Sequence, residues 1–428
     1  MNKVAGASSS KVKVAGASSS KVQPTREQDA PTTLVPKLRF PEFRRAEGWK
    51  AKSIGSMLVE TPRPIELNDE TDYRLVTVRR RYGGLVSRGV LKGKEIKVNS
   101  QFLVKAGDFL ISKRQIVHDA CGLVPQELDG SVVSNEYSVL TPREGCSVAF
   151  FEWFAKQPCV SVSFLQSSVG IVIEKMLFKL SDWQKRQFLF PPLEEQQKIA
   201  ECLSSVDEVI AAQARKLAAL KTHKKGLMQQ LFPREGETQP RLRFPEFQDK
   251  GEWEQGTLAN ACQMQAGKFV SASDIHEQRE DGMFPCYGGN GLRGYTRTFT
   301  HNGKYPLIGR QGALCGNVKF ATGQFHGTEH ALVATPNKGV YVDWLFYALD
   351  FLNLNRFATG QAQPGLSVDV LEKVALSIPK QEQEQQRIAT CLSSLDDLIA
   401  AETQKHEALK THKRGLMQQL FPSPEEPS

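Results

Sequence analysis

An internal repeat covers nearly all of this 428-residue chain and limits the folds open to it. Three segments recur in the same order: Lys37–Phe43 as Arg241–Phe247, Gln196–Ile210 as Gln385–Ile399, and Ala219–Pro233 as Ala408–Pro422. The first pair is offset by 204 residues and the other two by 189, so the first copy has about 15 more residues in its middle (204 − 189). Three ordered matches of this length do not arise by chance. The chain is therefore two tandem copies of one design.

The repeat predicts the domain boundaries. We expect a disordered tail at 1–36, a globular domain at 37–193, a helix at 194–233, a second domain with its leading linker at 234–381, a second helix at 382–422 and a tail at 423–428. The inserts at 44–193 and 248–381 barely resemble each other, apart from LISKR beside LIGRQ and EYSVLTP beside EHALVATP. A conserved frame with divergent inserts is typical of a protein with two different binding surfaces. A duplicated scaffold that drifted without function is the alternative.

The composition narrows the functional class. Lys and Arg number 55 against 47 Asp and Glu, and the resulting charge of +8 favours a polyanionic partner. There is neither an apolar run of membrane-spanning length nor an apolar core in the start MNKVAGASSSK, so a soluble, cytoplasmic protein is expected. The eight cysteines form no Cys-x-x-Cys pair, which predicts buried free thiols rather than zinc or disulfides. VAGASSSKV, which occurs at Val4 and Val14, cannot bury a core, and we assign it no function.

Both conserved C-terminal segments carry a heptad pattern of apolar residues, interrupted at two positions in the first copy and at three in the second. In the first copy the seam is Ile199, Leu203, Val206, Ile210, Gln213, Leu217, Leu220, Lys224, Leu227 and Leu231. In the second it is Ile388, Leu392, Leu395, Ile399, Glu402, His406, Leu409, Lys413, Leu416 and Leu420. From Ile199 to Leu231 such a helix would be about 50 Å long. We predict that the two helices pair antiparallel around a pseudo-twofold axis; two helices packed on their own domains are the alternative.

Two residue types inside these helices need comment. Gly226 and Gly415 each cost about 1 kcal/mol of helix stability against Ala, so they indicate a bend or a close contact. His223 and His412 lie next to lysines, and a solvated or structural role is favoured over metal ligation.

The inserts combine strand-like and helix-like runs, which predicts an α+β fold. Strands are expected at Phe109–Ser112, Ser131–Ser134 and Tyr305–Gly309, and short helices at Phe150–Lys156 and Trp344–Phe351. Reading bases in the major groove requires Arg or Lys for guanine and Asn or Gln for adenine. Such residues recur in loop-like settings among Gly and Tyr: Arg79, Arg80, Arg81, Tyr82, Lys113, Arg114, Gln115, Tyr287, Asn290, Arg293, Arg310, Gln311, Gln361 and Gln363. For any one of them a solvated loop is the competing interpretation, but as a set they favour DNA contact.

The sequence gives little support for an enzyme active site. Gly289–Gly294 matches G-x-G-x-x-G, but the residues that follow favour a strand where a dinucleotide site needs a helix. There is neither a Walker A sequence nor an Asn-Pro-Pro-aromatic tetrapeptide. Glu95-Ile-Lys97, with Asp69 or Asp72 upstream, offers the triplet of a nuclease site, a pattern that is frequent by chance.

The order of LRFPEF, strand-rich insert, PPLEEQQKIA and GLMQQLFP, repeated once, resembles the specificity subunits of type I restriction–modification systems over residues 37–422. PCYGGNGLRGYT, GTEHALV and GQAQPGLS resemble a common type of target recognition domain in that family, whereas the first copy lacks the YGGNG segment.

The resemblance implies two target recognition domains separated by the long helices. Each domain would read one half of a split sequence in double-stranded DNA, and two methyltransferase subunits would dock on the helices. S-adenosylmethionine would be bound by the methyltransferase subunits and ATP and Mg²⁺ by restriction subunits, with no cofactor, metal or catalytic residue on this chain. A DNA-cleaving enzyme and a coiled-coil scaffold without sequence reading are the alternatives.

Overall fold

A computed structural model describes residues 33–312, 314–360 and 364–422. The predicted tails were 1–36 and 423–428. Residues 1–32 and 423–428, and the candidates Gln361 and Gln363, lie outside the described residues, whereas Thr33–Leu34, within the first predicted tail, form a strand that pairs with Trp49–Lys50. The chain divides into two compact units. The first unit comprises the described residues up to Leu203 and those from Gly415, and the second comprises Ser204–Arg414. Both boundaries fall inside the long helices rather than at their ends.

The first unit is a mixture of short strands and helices. Its strands are β1 (Thr33–Leu34), β2 (Trp49–Ser53), β3 (Leu58–Glu60), β4 (Pro64–Ile65), β5 (Asp72–Val78), β6 (Leu85–Lys92), β7 (Gln101–Leu103), β8 (Phe109–Ser112), β9 (Cys121–Leu123), β10 (Val132–Ser134), β11 (Tyr137–Pro142), β12 (Ser168–Val169), β13 (Leu177–Phe178) and β14 (Gln187–Phe190). Its helices are α1 (Ile54–Met57), α2 (Val148–Ala155), α3 (Pro158–Gln166), α4 (Leu180–Gln184) and the start of α5 (Leu193–Leu231).

These strands form four sheets, in the orders β1-β2-β14, β4-β7-β10-β5-β6, β3-β11-β8-β9 and β12-β13. All four residues of β8 are buried, because this apolar run lies between β11 and β9. The largest core combines Trp49, Phe150 and Phe190 with the ends of both long helices, including Leu203 and Leu420. The sequence correctly predicted β8 and the helix at α2, which Ser147 caps by accepting a hydrogen bond from the Phe150 N–H.

The second unit has one main sheet. Its strands are β15 (Glu254–Thr257), β16 (Cys262–Ala266), β17 (Phe284–Gly288), β18 (Gly291–Thr296), β19 (His301–Gly309), β20 (Val318–Gly327), β21 (Ala331–Pro336) and β22 (Ala375–Ile378). Its helices are α6 (Leu258–Ala261), α7 (Val342–Phe351), α8 (Val368–Leu371) and α9 (Glu382–Leu420), whose last turns belong to the first unit.

The main sheet has the order β16-β21-β19-β20-β17-β18, and β15 pairs with β22. β18 starts inside the G-x-G-x-x-G match, as the sequence predicted when it rejected a dinucleotide site. The two faint sequence echoes fall on matching strand pairs, since β8 pairs with β11 and β19 pairs with β21, both antiparallel. The divergent inserts therefore keep a common strand pair at their centres.

A buried arginine joins each LRFPEF segment to the start of a long helix. Arg39 donates two hydrogen bonds to Glu195, at 2.8 and 2.6 Å, and the Trp49 indole donates a third at 3.3 Å. Arg243 makes the same bidentate contact with Glu384 at 2.7 and 2.8 Å, and the Trp253 indole adds a bond at 3.0 Å. In both pairs the carboxylate raises the pKa of the arginine. These contacts explain why the segments recur together.

A buried glutamine in each copy fixes the chain just before the helix. The Gln196 amide donates to the Pro191 and Gly145 carbonyls and accepts from the Ser147 N–H. Gln385 repeats this pattern with Pro379, Gly339 and Tyr341. Because buried polar groups are costly unless paired, each glutamine specifies one path of the backbone around it.

Helices α5 and α9 have 39 residues each, about 58 Å at 1.5 Å per residue. Every residue of the two heptad seams is buried or half-buried. Both helices end at a leucine two residues before a proline, which cannot continue a helix, at Pro233 and Pro422.

Within the second unit the two helices run antiparallel, as predicted. Lys224 contacts Asp396 at 2.6 Å and Lys413 contacts Asp207 at 2.5 Å. The repeat offset of 189 residues converts one ion pair into the other, because Asp207 corresponds to Asp396 and Lys224 to Lys413. Between them the Gln213 amide donates to the Glu402 carboxylate at 2.5 Å, and these two positions are also equivalent. The helix pair is therefore twofold symmetric in its contacts.

The close contact suggested for the helix glycines is wrong. A Cβ placed on Gly226 or Gly415 would meet no described atom within 4 Å beyond its own helical turns, and both helices continue through these positions. His223 and His412 are exposed. Within the described ranges no cluster of three or more His, Cys, Asp or Glu side chains has the arrangement of a metal site.

The eight cysteines are free thiols, and five of them are buried, namely Cys121, Cys146, Cys262, Cys286 and Cys315. Burial raises the pKa of Cys146 and of Cys262 to about 12. As far as the structure describes the chain, it contains no helix with the length and apolarity needed to cross a membrane.

Candidate nucleic-acid interface

In the first unit, Arg79–Gly84 form the tight turn between β5 and β6. Arg81 and Tyr82 both have positive φ angles, of 57° and 53°, a left-handed conformation that few non-glycine residues adopt. The three arginine side chains are exposed, but Tyr82 is half-buried and donates its hydroxyl hydrogen bond to Asp119 at 2.9 Å. Burial, and next the Asp119 carboxylate, raise the pKa of Tyr82. Tyr82 therefore holds the turn in place, and the three arginine side chains remain exposed on it.

The fold brings this turn next to the second predicted cluster, Lys113–Gln115. The Arg80 Nε donates to the Gln115 side-chain oxygen at 2.7 Å, and the Arg81 N–H donates to the His118 carbonyl at 2.7 Å. Arg114 pairs with Glu136 at 2.6 Å and still exposes about half of its side chain (54%). The candidates of the first insert thus form one basic surface, at the end of the central strand β8.

A third segment joins this surface, and sequence reasoning missed it. β12 and β13 form a hairpin over Ser168–Phe178, and the Phe178 N–H donates to the Lys113 carbonyl at 3.0 Å. Glu174, on this hairpin, lies 3.2 Å from both Arg80 and His118. The hairpin lacks the Arg, Asn and Gln pattern used to select candidates. Its signal is an apolar run, VGIVIEKML, which is unusual for an exposed loop.

In the second unit, the YGGNG segment forms the turn between β17 and β18. Tyr287 is half-buried, with its ring edge against Phe325 at a centroid distance of 5.8 Å, and burial raises its pKa. Asn290 and Arg293 are exposed, at the turn and on β18. Tyr287 therefore supports the turn, and the side chains of Asn290 and Arg293 face solvent.

Arg310 and Gln311 follow the central strand β19, and Gln311 lines a cavity together with the YGGNG turn. The Arg310 N–H donates to the His330 carbonyl at 2.9 Å, and the His330 Nδ1 lies 3.0 Å from the Gln311 side-chain oxygen. A cavity of about 450 Å³ opens between Gly288–Arg293 and the residues Gln311, Gly312 and His330. His330 was not among the candidates, although the EHALVATP echo of EYSVLTP marked its position.

Glycine is required where these two loops approach each other. A Cβ on Gly309 would lie 2.1 Å from the Gly289 carbonyl oxygen, and one on Gly289 would lie 2.8 Å from that of His330. No side chain can be accommodated at such distances. Gly289 of YGGNG and Gly309 of β19 therefore allow close backbone packing around the cavity.

The backbone bond between Phe178 and Lys113 has a counterpart in the second unit. The Leu366 N–H donates to the Arg310 carbonyl at 2.9 Å, and LIGRQ aligns with LISKR. The Pro364 carbonyl also accepts from the Gly312 N–H at 2.9 Å. In each unit, the residues after the central strand are therefore hydrogen-bonded to a segment further along the chain.

The nuclease-like triplet has a structural role. The Glu95 carboxylate accepts a hydrogen bond from the Lys92 N–H at 2.8 Å and caps a short 3₁₀ helix. Glu70, from the same acidic run as Asp69 and Asp72, pairs with Lys92 and Lys94 at 3.1 and 2.9 Å. Glu70 and Glu95 thus contact lysines and backbone of the same loop, next to β6.

Comparison with protein families identifies two matching regions. Residues 46–222 and 250–411 match the family model described as the type I restriction modification DNA specificity domain. The chain is 44% identical to the specificity subunit of the type I restriction enzyme EcoprrI from Escherichia coli over 158 residues, which cover 37% of this chain and only 39% of that relative. It is 23% identical to the MjaVIII specificity subunit of Methanocaldococcus jannaschii over 422 residues, or 89% of this chain and 93% of that relative.

Solved structures share the fold. The crystal structure of a type I restriction–modification S subunit from M. genitalium superposes with a TM-score of 0.59 at 16% identity, covering 91% of this chain and all of that one. A chain from a structural study of complex assembly and conformational transition of the type I system gives a TM-score of 0.55 at 18% identity, covering 87% and 97%. At these identities the likeness concerns the fold alone.

Proposed function

Because the chain belongs to the family of type I restriction–modification DNA specificity subunits, we propose that each of its two inserts reads one half of a split DNA target. The proposal rests on a contrast between the contacts that both copies share and the loops in which the copies differ. The arginine–glutamate pairs, the buried glutamines and the helix contacts recur in both copies, whereas the loops around β8 and β19 differ in length and chemistry. A protein that reads two different half-sites needs this combination.

The chemistry of the loops supports DNA as the ligand. Lysine and arginine neutralise phosphates and position a protein on the duplex, while a few Arg, Asn and Gln side chains distinguish bases. Exposed residues of these types include Arg79, Arg80 and Arg114 in the first unit, and Asn290 and Arg293 in the second. In the second unit we assign base contacts to the rim of the 450 Å³ cavity, where Asn290, Arg293 and Gln311 meet.

The helix pair would set the distance between the half-sites and dock two methyltransferase subunits. Its twofold contacts support this assignment, because two equivalent partners require two equivalent surfaces. The subunit itself would carry no catalytic residue and bind no cofactor. The methyltransferase subunits would bind S-adenosylmethionine, restriction subunits would bind ATP and Mg²⁺, and the complex would act in the cytoplasm.

A genome-wide map of N6-methyladenine tests the proposal. Cells that express this chain with its neighbouring methyltransferase subunit are compared with cells that lack only this chain. We expect a new methylated motif, split into two half-sites by a fixed unread gap. If no motif depends on the chain, it is not the reader of that methyltransferase.

Binding measurements separate the two alternatives. A scaffold without sequence reading would not select one split site over a scrambled duplex as salt is raised, whereas a reader should. A nuclease would cleave DNA with Mg²⁺ as the purified chain alone, and we expect no cleavage.

A further inference from the structure

The hairpin between β12 and β13 exposes an unusual concentration of aliphatic side chains. Val169, Ile171, Val172 and Ile173 are all more than half exposed, and Ile171 is fully exposed (103% of its reference area). Single exposed apolar residues are common, but consecutive ones on one tip mark a binding surface. No segment within the described residues covers this tip.

The surroundings of the tip are cationic. Arg80 and His118 contact the tip residue Glu174, the Phe178 N–H binds the backbone of Lys113, and Lys175 is exposed on the hairpin itself. The one carboxylate on the tip is thus paired with the Arg80 guanidinium at 3.2 Å. An apolar surface within a positive rim complements DNA, which presents apolar groups in a groove lined by phosphates.

The backbone bond of the hairpin has a match in the second unit. Its bond to Lys113 corresponds to the bond of Leu366 to Arg310, because LISKR aligns with LIGRQ. In the sequence, amides precede Leu366 (Gln361 and Gln363), whereas aliphatic residues precede Phe178 (Ile171, Val172 and Ile173). Amides suit adenine, so the sequence difference at this point predicts that the two copies recognise different bases.

We propose that the aliphatic tip of this hairpin reads thymine in its half-site, through contact with the C5-methyl group in the major groove. The inference rests on the proposed function and specifies the chemistry of one of its two surfaces. Thymine is the base that offers an apolar group to the major groove, and apolar side chains are its complement. Arg80 and Lys175 would hold the flanking phosphates, and the Arg80–Glu174 contact would fix the tip.

Replacement of thymine by deoxyuridine tests this directly, because it removes the methyl group and leaves base pairing intact. The full-length chain, in complex with its methyltransferase subunits, is titrated with duplexes that carry the methylated split motif, with deoxyuridine at one thymine position at a time. One buried methyl corresponds to about a fourfold change in affinity. We expect this loss at one or more thymines of one half-site, and none in the other half-site.

The double variant Ile171→Ser, Val172→Ser should bind the thymine and deoxyuridine duplexes equally. Val98→Ser is the matched control, because Val98 is an exposed aliphatic residue outside the hairpin (46%) and should retain the full thymine preference. Since Ile171 and Val172 are exposed, the variant should keep its circular dichroism spectrum and its unfolding temperature.

Several results would overturn the inference. Equal affinity for deoxyuridine at every thymine of both half-sites would exclude methyl recognition, as would a double variant that still discriminates. If the variant instead loses methyltransferase subunits on purification while its thymine preference remains, the tip docks a protein and not DNA. All of these results are obtained with a split motif whose methylation depends on this chain. If the proposed function is wrong, no such motif exists, so the two failures can be told apart.

Discussion

At the scale of single residues, the two buried arginine–glutamate pairs are the contacts whose loss should lower the stability of the fold most. Glu195 and Glu384 are each 1% exposed, and each accepts two bonds from an arginine and one from a tryptophan. A buried ion pair adds little net stability when it is intact, but loss of one partner leaves an uncompensated charge.

We expect Glu195→Gln to lower the free energy of unfolding by about 3–5 kcal/mol, because it leaves Arg39 buried without a counter-charge. Glu194→Gln is the matched control, since its exposed carboxylate is next in sequence and should change stability by less than about 0.5 kcal/mol. Urea unfolding followed by circular dichroism measures both. If both substitutions change the free energy of unfolding equally, the buried Arg39–Glu195 pair contributes no more to stability than an exposed carboxylate does.

At the rim of the cavity, Arg293→Ala should weaken binding to the cognate half-site by about 1–3 kcal/mol and relax the preference at one base pair. The same is expected of Asn290→Ala at another position. Arg356→Ala is the charge-matched control, because Arg356 is exposed and pairs with Glu235, outside the cavity rim. Fluorescence anisotropy with single-base variants of the duplex distinguishes lost specificity from a uniform loss of affinity. If both half-sites stay intact in the two cavity variants, the base contacts of the second unit lie elsewhere.

At the scale of the elements, the helix pair combines an apolar seam with polar contacts at matching positions. Gln213 and Glu402 meet near the centre, and the two Lys–Asp pairs flank them. Such polar positions favour one register and one direction over the alternatives that leucine contacts alone would allow.

A charge swap tests the register. Lys224→Asp and Asp396→Lys should each destabilise the second unit, and the double variant should recover part of the loss, with a coupling energy of about 0.5–3 kcal/mol. Tyr347 also donates to Asp396 at 2.8 Å, so recovery should be incomplete. Thermal unfolding of the four proteins gives the coupling. Additive losses with no recovery would argue against this pairing.

Unlike the substitutions above, replacement of a glycine within a long helix is expected to increase the stability of the protein. Gly226→Ala should raise the free energy of unfolding by up to about 1 kcal/mol, because a Cβ there has free space and alanine favours the helix. Gly309→Ala is the contrasting case, since its Cβ would overlap the Gly289 carbonyl, and it should be strongly destabilising. A loss of stability in Gly226→Ala would indicate that a partner packs on this glycine.

For the whole molecule, the helices are proposed to set the gap between the half-sites. Inserting seven residues into both helices, at equivalent positions, adds about 10 Å and keeps the heptad phase, so the unread gap should lengthen by about 3 base pairs. Methylome mapping reads the new gap. The same insertion in only one helix is the control, because it disrupts the seam and should abolish methylation. If both helices are lengthened and the gap stays the same, the helices do not set the distance between the half-sites.

The sequence alone was sufficient for those features that depend on local periodicity or on the repeat. The heptad spacing predicted two long helices, and the pseudo-twofold relation inferred from the repeat predicted that they pair antiparallel. The apolar run Phe109–Ser112 predicted the central strand β8. Local patterns suffice there because a residue's burial follows from its neighbours at fixed spacing along the helix or strand. The repeat also identified the conserved frame, because the same contacts are needed twice.

The interface depends on contacts between residues distant in sequence, which no local pattern encodes. Only the fold places Arg80 against Gln115 and Glu174, turns Tyr82 and Tyr287 toward the interior, and sets His330 beside Gln311. The apolar run of the β12–β13 hairpin is visible in the sequence, but only the fold places it beside the end of β8, where the other candidates lie. Chain topology determines which loops share a surface, and that surface determines which side chains can meet DNA.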